Sequence, residues 1–417
     1  MRYIIDFHIH SRYSRACSKN LTVESIAKWC EKKGIDIIST ADFTHPLWIK
    51  ELENNLEPAE DGLYKLRNSK IKTRFMVATE LSCIYKRGDK TRRVHLCILM
   101  PSLKSAKVFT QKLINKKCNI SSDGRPILGI DSQEIVKMVL ETSQDAMVIP
   151  AHIWTPWFSV FGSQSGFDTL EDCFGEYTKY IYALETGLSS DPLMNWRLPQ
   201  LDKYLLLSNS DAHSLEKLGR EANVFEFQKK PSYFDIIEVI KTKDKKRFLY
   251  TIEFFPEEGK YYQDGHRDCN ISLKPKETKQ KKYICPKCNR KVTVGVLHRV
   301  DNLGSRNEKE IIKIKNNFIP YKSIIPLIEI ISECFSVGVK SKKVLLTYEK
   351  LINECGSEFD ILLNRSLKEI KKYSNNLIAE AIDRVRKGKV IISPGYDGEF
   401  GVIKIFNDKE LKKYNKK

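Results

Sequence analysis

No stretch of this 417-residue chain comes near the roughly 18 uninterrupted apolar residues of a membrane-spanning helix. The first residues run straight into an apolar pattern carrying Asp6, His8 and His10, with neither a basic start nor a long apolar segment. A membrane or secreted protein is therefore not expected, and the chain reads as cytoplasmic. There is no Gly-x4-Gly-Lys-Ser/Thr run and no repeat of solenoid length, so nothing marks a nucleoside-triphosphate loop or a stacked array. Acidic residues are in the minority, 53 against 71 basic, for a formal net charge of +18.

What is present begins with length, enough for roughly two to four domains and an ample core. Of the 11 cysteines, most are scattered singly, which suits a reducing compartment better than a disulfide framework. Charge is unevenly shared. Residues 1–240 carry a net +2, whereas residues 241–417 carry +16. Residues 270–300 hold nine basic residues and one acid, Glu277, the electrostatic footprint of a module that binds a polyanion. A merely solvated basic surface is the alternative.

The pattern divides the chain at 1–245, 246–305 and 306–417. The first part alternates β-rich runs with helix-period stretches, as in a parallel sheet or barrel with crossover helices. Seven strands are expected, beginning near residues 3, 35, 74, 94, 146, 180 and 204. Helices are expected over 23–33, with Thr22 as N-cap, and 132–142. The middle part is a small Pro-, Gly- and Cys-containing module. The last part is helical, over 323–335, 342–354, 367–373 and 377–387, then a hairpin about Gly395 to Gly398 and a frayed tail over 409–417.

Six of the eight histidines fall in the first part. His8 and His10 share one face of the first strand end. Asp42 and His45, Glu80, His152, and Asp211 with His213 follow later strands, and His95 lies within one. On a (β/α) barrel these positions converge on one rim. Imidazole and carboxylate donors suit Zn, Mn or Fe, and a bridging carboxylate such as Glu80 holds two ions. In the middle module, His266-x2-Cys269 and Cys285-x2-Cys288 have the spacing of two knuckles closing one structural zinc site. His298 is a reserve ligand, and a redox pair at Cys285 and Cys288 is the rival reading.

The motifs His8-Ile9-His10, Asp42 to His45, Glu80, His95, Pro150-Ala151-His152 and Ser210-Asp211-Ala212-His213 resemble those of the PHP superfamily. That resemblance implies an α/β fold, a distorted seven-stranded barrel with two or three divalent ions (Zn, Mn, Mg or Fe) that hydrolyse phosphoesters. Carried over, His8, His10, Glu80 and Asp211 hold one ion, Glu80, His95 and His152 a second, and His213 with His45 a third. The chain departs from the pattern at Ala16 and Phe43. Further stretches, among them Ser122-Asp123-Gly124-Arg125-Pro126, Trp154 to Phe158, Asp264-Gly265-His266-Arg267 and Pro394 to Gly398, resemble the endonuclease Q family over nearly the whole length. This implies a DNA repair endonuclease cutting 5′ of deaminated bases (uracil, hypoxanthine, xanthine) and at abasic sites. The chemistry expected of such a site is in-line attack by a metal-activated water on phosphorus, with His8, His10, Glu80 and Asp211 as its catalytic residues and Asp211 steering that water.

For substrate contacts the reading selects Trp154, Trp157 and Phe158, as rim aromatics that stack an extruded base, and Arg125, Asn195 and Arg197. Ordinary core packing and surface ion pairs are the competing explanations. Arg384, Arg386, Lys387 and Lys389 end a helix pair expected to bind DNA. The alternative functions are a small-molecule phosphatase of the histidinol phosphate type and a non-catalytic DNA-binding scaffold. A sliding-clamp partner is left open, because no clamp-binding peptide is visible at the terminus.

Overall fold

The computed structural model describes residues 1–415. All seven expected strands form, within a few residues of their expected bounds, but they are not all parallel. Arg2–Asp6 pairs in parallel with Ile37–Ser39, which pairs in parallel with Arg74–Met76. On its other edge Arg2–Asp6 meets Ala222–Glu226 antiparallel, and Phe248–Glu253 continues the sheet antiparallel. With Tyr321–Ser323 at one edge and the Leu56–Pro58 and Leu63–Leu66 pair at the other, this sheet has eight strands. A second sheet orders Ile127–Leu128, Ala78–Arg87, Lys90–Leu99 and Met147–Pro150. Ala183–Glu185 and Leu205–Leu207 form a separate parallel pair.

The departure from a parallel pattern has a local cause. Ala78–Arg87 and Lys90–Leu99 are joined by Gly88 and Asp89 alone, and a two-residue connection forces antiparallel pairing. Nor do the strands form one continuous ladder. The strand pair Ala183–Glu185 and Leu205–Leu207 joins its neighbours through single contacts, such as Ser208 N–H donating to the Asn223 side chain and Ile153 N–H to the Glu185 carbonyl. Strands of all three sheets nevertheless bury side chains in one apolar centre, with Ile5, Phe7, Ile37, Met76, Leu99, Ile149, Leu207 and Phe225 enclosed.

Helices wrap this centre for reasons written in the chain. Val23–Lys33 starts where Thr22 Oγ1 accepts from Ser25 N–H and buries Val23, Ile26, Ala27 and Cys30. Ser132–Thr142 is capped by Asp131 and buries Ile135, Val136 and Val139. The four expected C-terminal helices form as Leu327–Phe335, Lys342–Cys355, Leu367–Tyr373 and Asn376–Arg386. They are fixed to the first part by a buried ion pair, Lys33 Nζ to Glu358 Oε2 at 2.8 Å, with Tyr348 donating to the same carboxylate.

Phe248–Glu253 and Tyr321–Ser323 belong to the main sheet, so that sheet continues past residue 245 and past the zinc module. The expected frayed tail is instead a helix, Asp408–Asn415; residues 416–417 lie outside the described residues. Among the described residues no helix is long and apolar enough to cross a membrane.

The C-terminal helix pair does not offer its arginines to a ligand. Arg386 donates to the carbonyls of Leu362, Ile361 and Arg365, and Arg384 pairs with Glu380 and Glu410. Lys387 pairs with Asp383. These cations close helix ends and loop carbonyls.

Candidate metal centre

The residues singled out at strand ends meet. His8, His10, Glu80 and Asp211 place donor atoms within 4.8 Å of one another, as do Glu80, His95 and His152. Glu80 divides its oxygens between the groups. Its Oε2 lies 3.4 Å from His8 Nε2 and 3.2 Å from His10 Nε2, while its Oε1 lies 2.6 Å from His95 Nδ1 and 3.1 Å from His152 Nε2. Glu80 is itself inside the Ala78–Arg87 strand, not beyond it as the sequence suggested.

Each imidazole is held from behind so that one nitrogen faces inward. Glu185 accepts from His8 Nδ1 at 3.0 Å, Asp42 sits 3.3 Å from His10 Nδ1, and Ser82 and Thr155 meet His95 Nε2 and His152 Nδ1 at 3.1 Å each. His8 Nε2 is buried with no hydrogen-bond partner. An orphaned ring nitrogen beside carboxylates is costly unless a cation uses it. This orphan, with the imidazole and carboxylate donor set, fits divalent metal binding.

Electrostatics agree. Burial opposes ionisation of Glu80, yet His95, Arg125 and His8 hold its carboxyl well below the usual range. Burial pushes His95 down to about 4 although Glu80 pulls the other way. Asp211 is likewise held low, against burial, by His10 and His8. The backbone is strained here, with positive φ at Asp42, His152 and Asp211, as is common where geometry serves a site.

Arg125 Nη1 reaches Glu80 Oε2 at 3.0 Å. Its loop lies so close that a Cβ on Gly124 would stand 2.4 Å from both Asp42 Oδ2 and Ser14 Oγ, the groups that orient His10. Glycine is required there by contact.

Other selected residues fall elsewhere. His213 Nδ1 bonds the Asp211 carbonyl at 2.8 Å, its ring 4.6 Å from that of His10, while His45 donates to the Ser121 carbonyl and stacks on Tyr13. Among the described residues neither joins a donor group. Trp154 is not a rim aromatic. It is 1% exposed, and its indole N–H donates to Asn195 Oδ1, which is itself fully buried. An indole N–H needs a partner when buried, and Asn195 is that partner instead of a substrate contact. Arg197 is tied to Asp301 at 2.7 Å, bracing the Val296–Leu303 helix. Glu185 and Cys97, outside the expected ligand set, crowd His8. Glu185 was detectable, since it ends its strand as the ligand-bearing residues end theirs.

Trp157 and Phe158 border open space. With Tyr261 and Phe400 they line an apolar cleft of about 440 Å³. The Phe158 ring lies 4.8 Å from that of His95. A second cleft of about 950 Å³ carries Arg87, Lys90, Arg92, Arg93 and Arg299 against Asp168 and Asp172.

In the middle module His266, Cys269, Cys285 and Cys288 converge within 4.8 Å, the donor set the sequence assigns to zinc. His298 is not among them; its Nδ1 pairs with Asp264 at 2.6 Å. Although burial opposes it, the backbone amides of Lys287 and Cys288 lower the Cys285 thiol below its ordinary value. The module's own apolar core is only Leu273, Cys285 and Val292, too small to fold a loop-rich segment without a cross-link or metal.

A buried imidazole and carboxylate cluster on an α/β frame, with a separate thiolate knuckle, defines a protein built to hold divalent metal ions. A family model described as MJ0043 C-terminal domain matches residues 326–389. The uncharacterized protein MJ0043 of Methanocaldococcus jannaschii is 35% identical over 253 residues, which are 60% of this chain and 31% of that protein. The chain thus spans about a third of that relative's length. The uncharacterized protein YqxK of Bacillus subtilis is 29% identical across 96% of this chain and 98% of its own. The lesion-specific endonuclease PfuEndoQ of Pyrococcus furiosus superposes with a TM-score of 0.85 and 31% identity over 99% of both chains. An endonuclease Q complex with a 27-mer duplex bearing an abasic lesion at its active site superposes at 0.83, with 31% identity over 99% of this chain and 98% of that one. The chain belongs to the endonuclease Q family.

Proposed function

We propose that the protein is a metal-dependent DNA endonuclease that hydrolyses the phosphodiester 5′ of deaminated bases and abasic sites. The observation that carries this is Glu80, whose two oxygens are divided between two imidazole and carboxylate donor groups. The strands around one core we read as the distorted barrel, followed by a zinc module and a helical unit. His8, His10, Glu80 and Asp211 would hold one ion, and Glu80, His95 and His152 another. When bound, such ions activate water and stabilise charge on the phosphate and on the departing 3′ oxygen. The Asp211 side chain is 22% exposed where that of Glu80 is sealed. Asp211 is thus the carboxylate a water can reach, and it orients the attack. Arg125, held to Glu80 on one side, turns its remaining donors toward the phosphate. The basic cleft carries the strand's backbone.

Selectivity comes from extrusion, since a deaminated base in a mismatch is cheaper to unstack than a paired one. Trp157 and Phe158 receive the base. Uracil and hypoxanthine both present a carbonyl where cytosine and adenine present an amine, so one pocket takes both.

The test is a product map on duplexes differing by one base, uracil against cytosine and hypoxanthine against adenine, with and without chelator. The expected result is metal-dependent cutting one bond 5′ of the lesion. Equal cutting of undamaged strands would make it a non-specific nuclease, and turnover of small phosphomonoesters alone would make it a phosphatase.

A further inference from the structure

Phe400 is 73% exposed, more than any other large apolar side chain described. It is nonetheless on a rigid segment. Gly395 N–H donates to the Glu257 carbonyl, Gly398 N–H to that of Lys260 and Gly401 N–H to that of Glu258, at 2.8, 2.8 and 3.0 Å. Asp397 accepts from Arg267 N–H and from Thr293, binding the same turn to the zinc module. The approach is close enough that a Cβ on Gly401 would stand 2.0 Å from the Glu257 carbonyl oxygen. A turn clamped at this many points fixes the main chain that carries Phe400 at the cleft. The ring faces the apolar cleft that Trp157, Phe158 and Tyr261 line. Lys260 Nζ lies 5.8 Å from the Phe400 ring and 5.5 Å from the Tyr261 ring, bridging the two. The cleft's inner end touches the metal centre through Phe158 against His95 and Thr155 against His152.

We infer that Phe400, carried to the cleft by the C-terminal hairpin, is its outer wall and stacks on the extruded base, making the enzyme favour lesions that still carry a base. This rests on the reading of the cleft as the base site. Stacking on a preordered ring is gained without the cost of ordering a loop. An abasic nucleotide has nothing to stack, so it draws no benefit from Phe400.

The experiment uses the full-length, metal-loaded protein on duplexes with one uracil, one hypoxanthine or one abasic site. Phe400→Ala is expected to lower kcat/KM on uracil and hypoxanthine by about tenfold or more, to leave abasic cutting within about twofold, and to leave the melting temperature unchanged. Phe400→Tyr should restore base-bearing substrates. An equal loss on all three, or no loss on uracil, overturns the inference while the proposed function stands. A wild-type protein that cuts none of them removes the proposed function itself, and the inference with it.

Discussion

The chain holds two clusters of metal-binding side chains, and they are opposites. At the strand ends, imidazoles and carboxylates gather from segments some two hundred residues apart, on strained backbone inside a large core, with Asp211 still reachable by water. In the zinc module, one imidazole and three thiols come from within about twenty residues, around an apolar core of three side chains. The first set sits on strained backbone within a large core; the second has almost no apolar core of its own and is the one we propose a structural metal holds together. Carboxylates with an open approach suit chemistry, and a closed thiolate set suits structure.

That contrast is open to attack at several points. The largest effect is expected from His8→Ala, which removes the orphaned nitrogen: lesion cutting should fall by roughly a thousandfold, while duplex affinity in a filter or fluorescence assay changes little. Next comes Cys285→Ser. It should release one tightly held zinc, measured by elemental analysis, and weaken DNA binding more at low salt than at high, with the strand-end ions retained.

A smaller effect is expected from Lys90→Ala with Arg93→Ala in the basic cleft. Binding should weaken alike for damaged and undamaged duplex, and the slope of log affinity against log salt should drop by about one to two. The smallest lies away from both sites. Burial pushes Glu253 up to about 8, against a hydrogen bond from Thr251, from an ordinary value of 4.5. The fold therefore keeps a proton that the unfolded chain releases, so stability declines as pH rises from about 4.5 to 8. Glu253→Gln should flatten that decline, raising the melting temperature at pH 8 relative to pH 5 by on the order of a few degrees.

Much of this was legible in the chain because period and spacing are local properties. His8-x-His10 declares its face through strand alternation, and Cys285-x2-Cys288 its turn. Trp154 was misplaced because its neighbours are rim residues while its partner, Asn195, lies 41 positions on, a distance no periodicity encodes. The antiparallel hairpin was overlooked although Gly88-Asp89 marks a tight turn, because charged residues around it mask the strand pattern. Glu185 is marked in the chain only by its place at a strand end, and its pairing with His8, 177 positions away, follows from the packing of strands. Arg384 and Arg386 looked like a nucleic-acid patch because sequence shows charge and not its partners.

The central claim is that the two metal regions are separate, one for chemistry and one for structure, with Glu80 as the hinge of the first. The direct measurement is Glu80→Gln, with metal content and uracil-duplex cutting read on the same sample. The account predicts that the strand-end ions and the cutting are lost together while one zinc stays bound. Retained cutting, or loss of that zinc with the others, would contradict it.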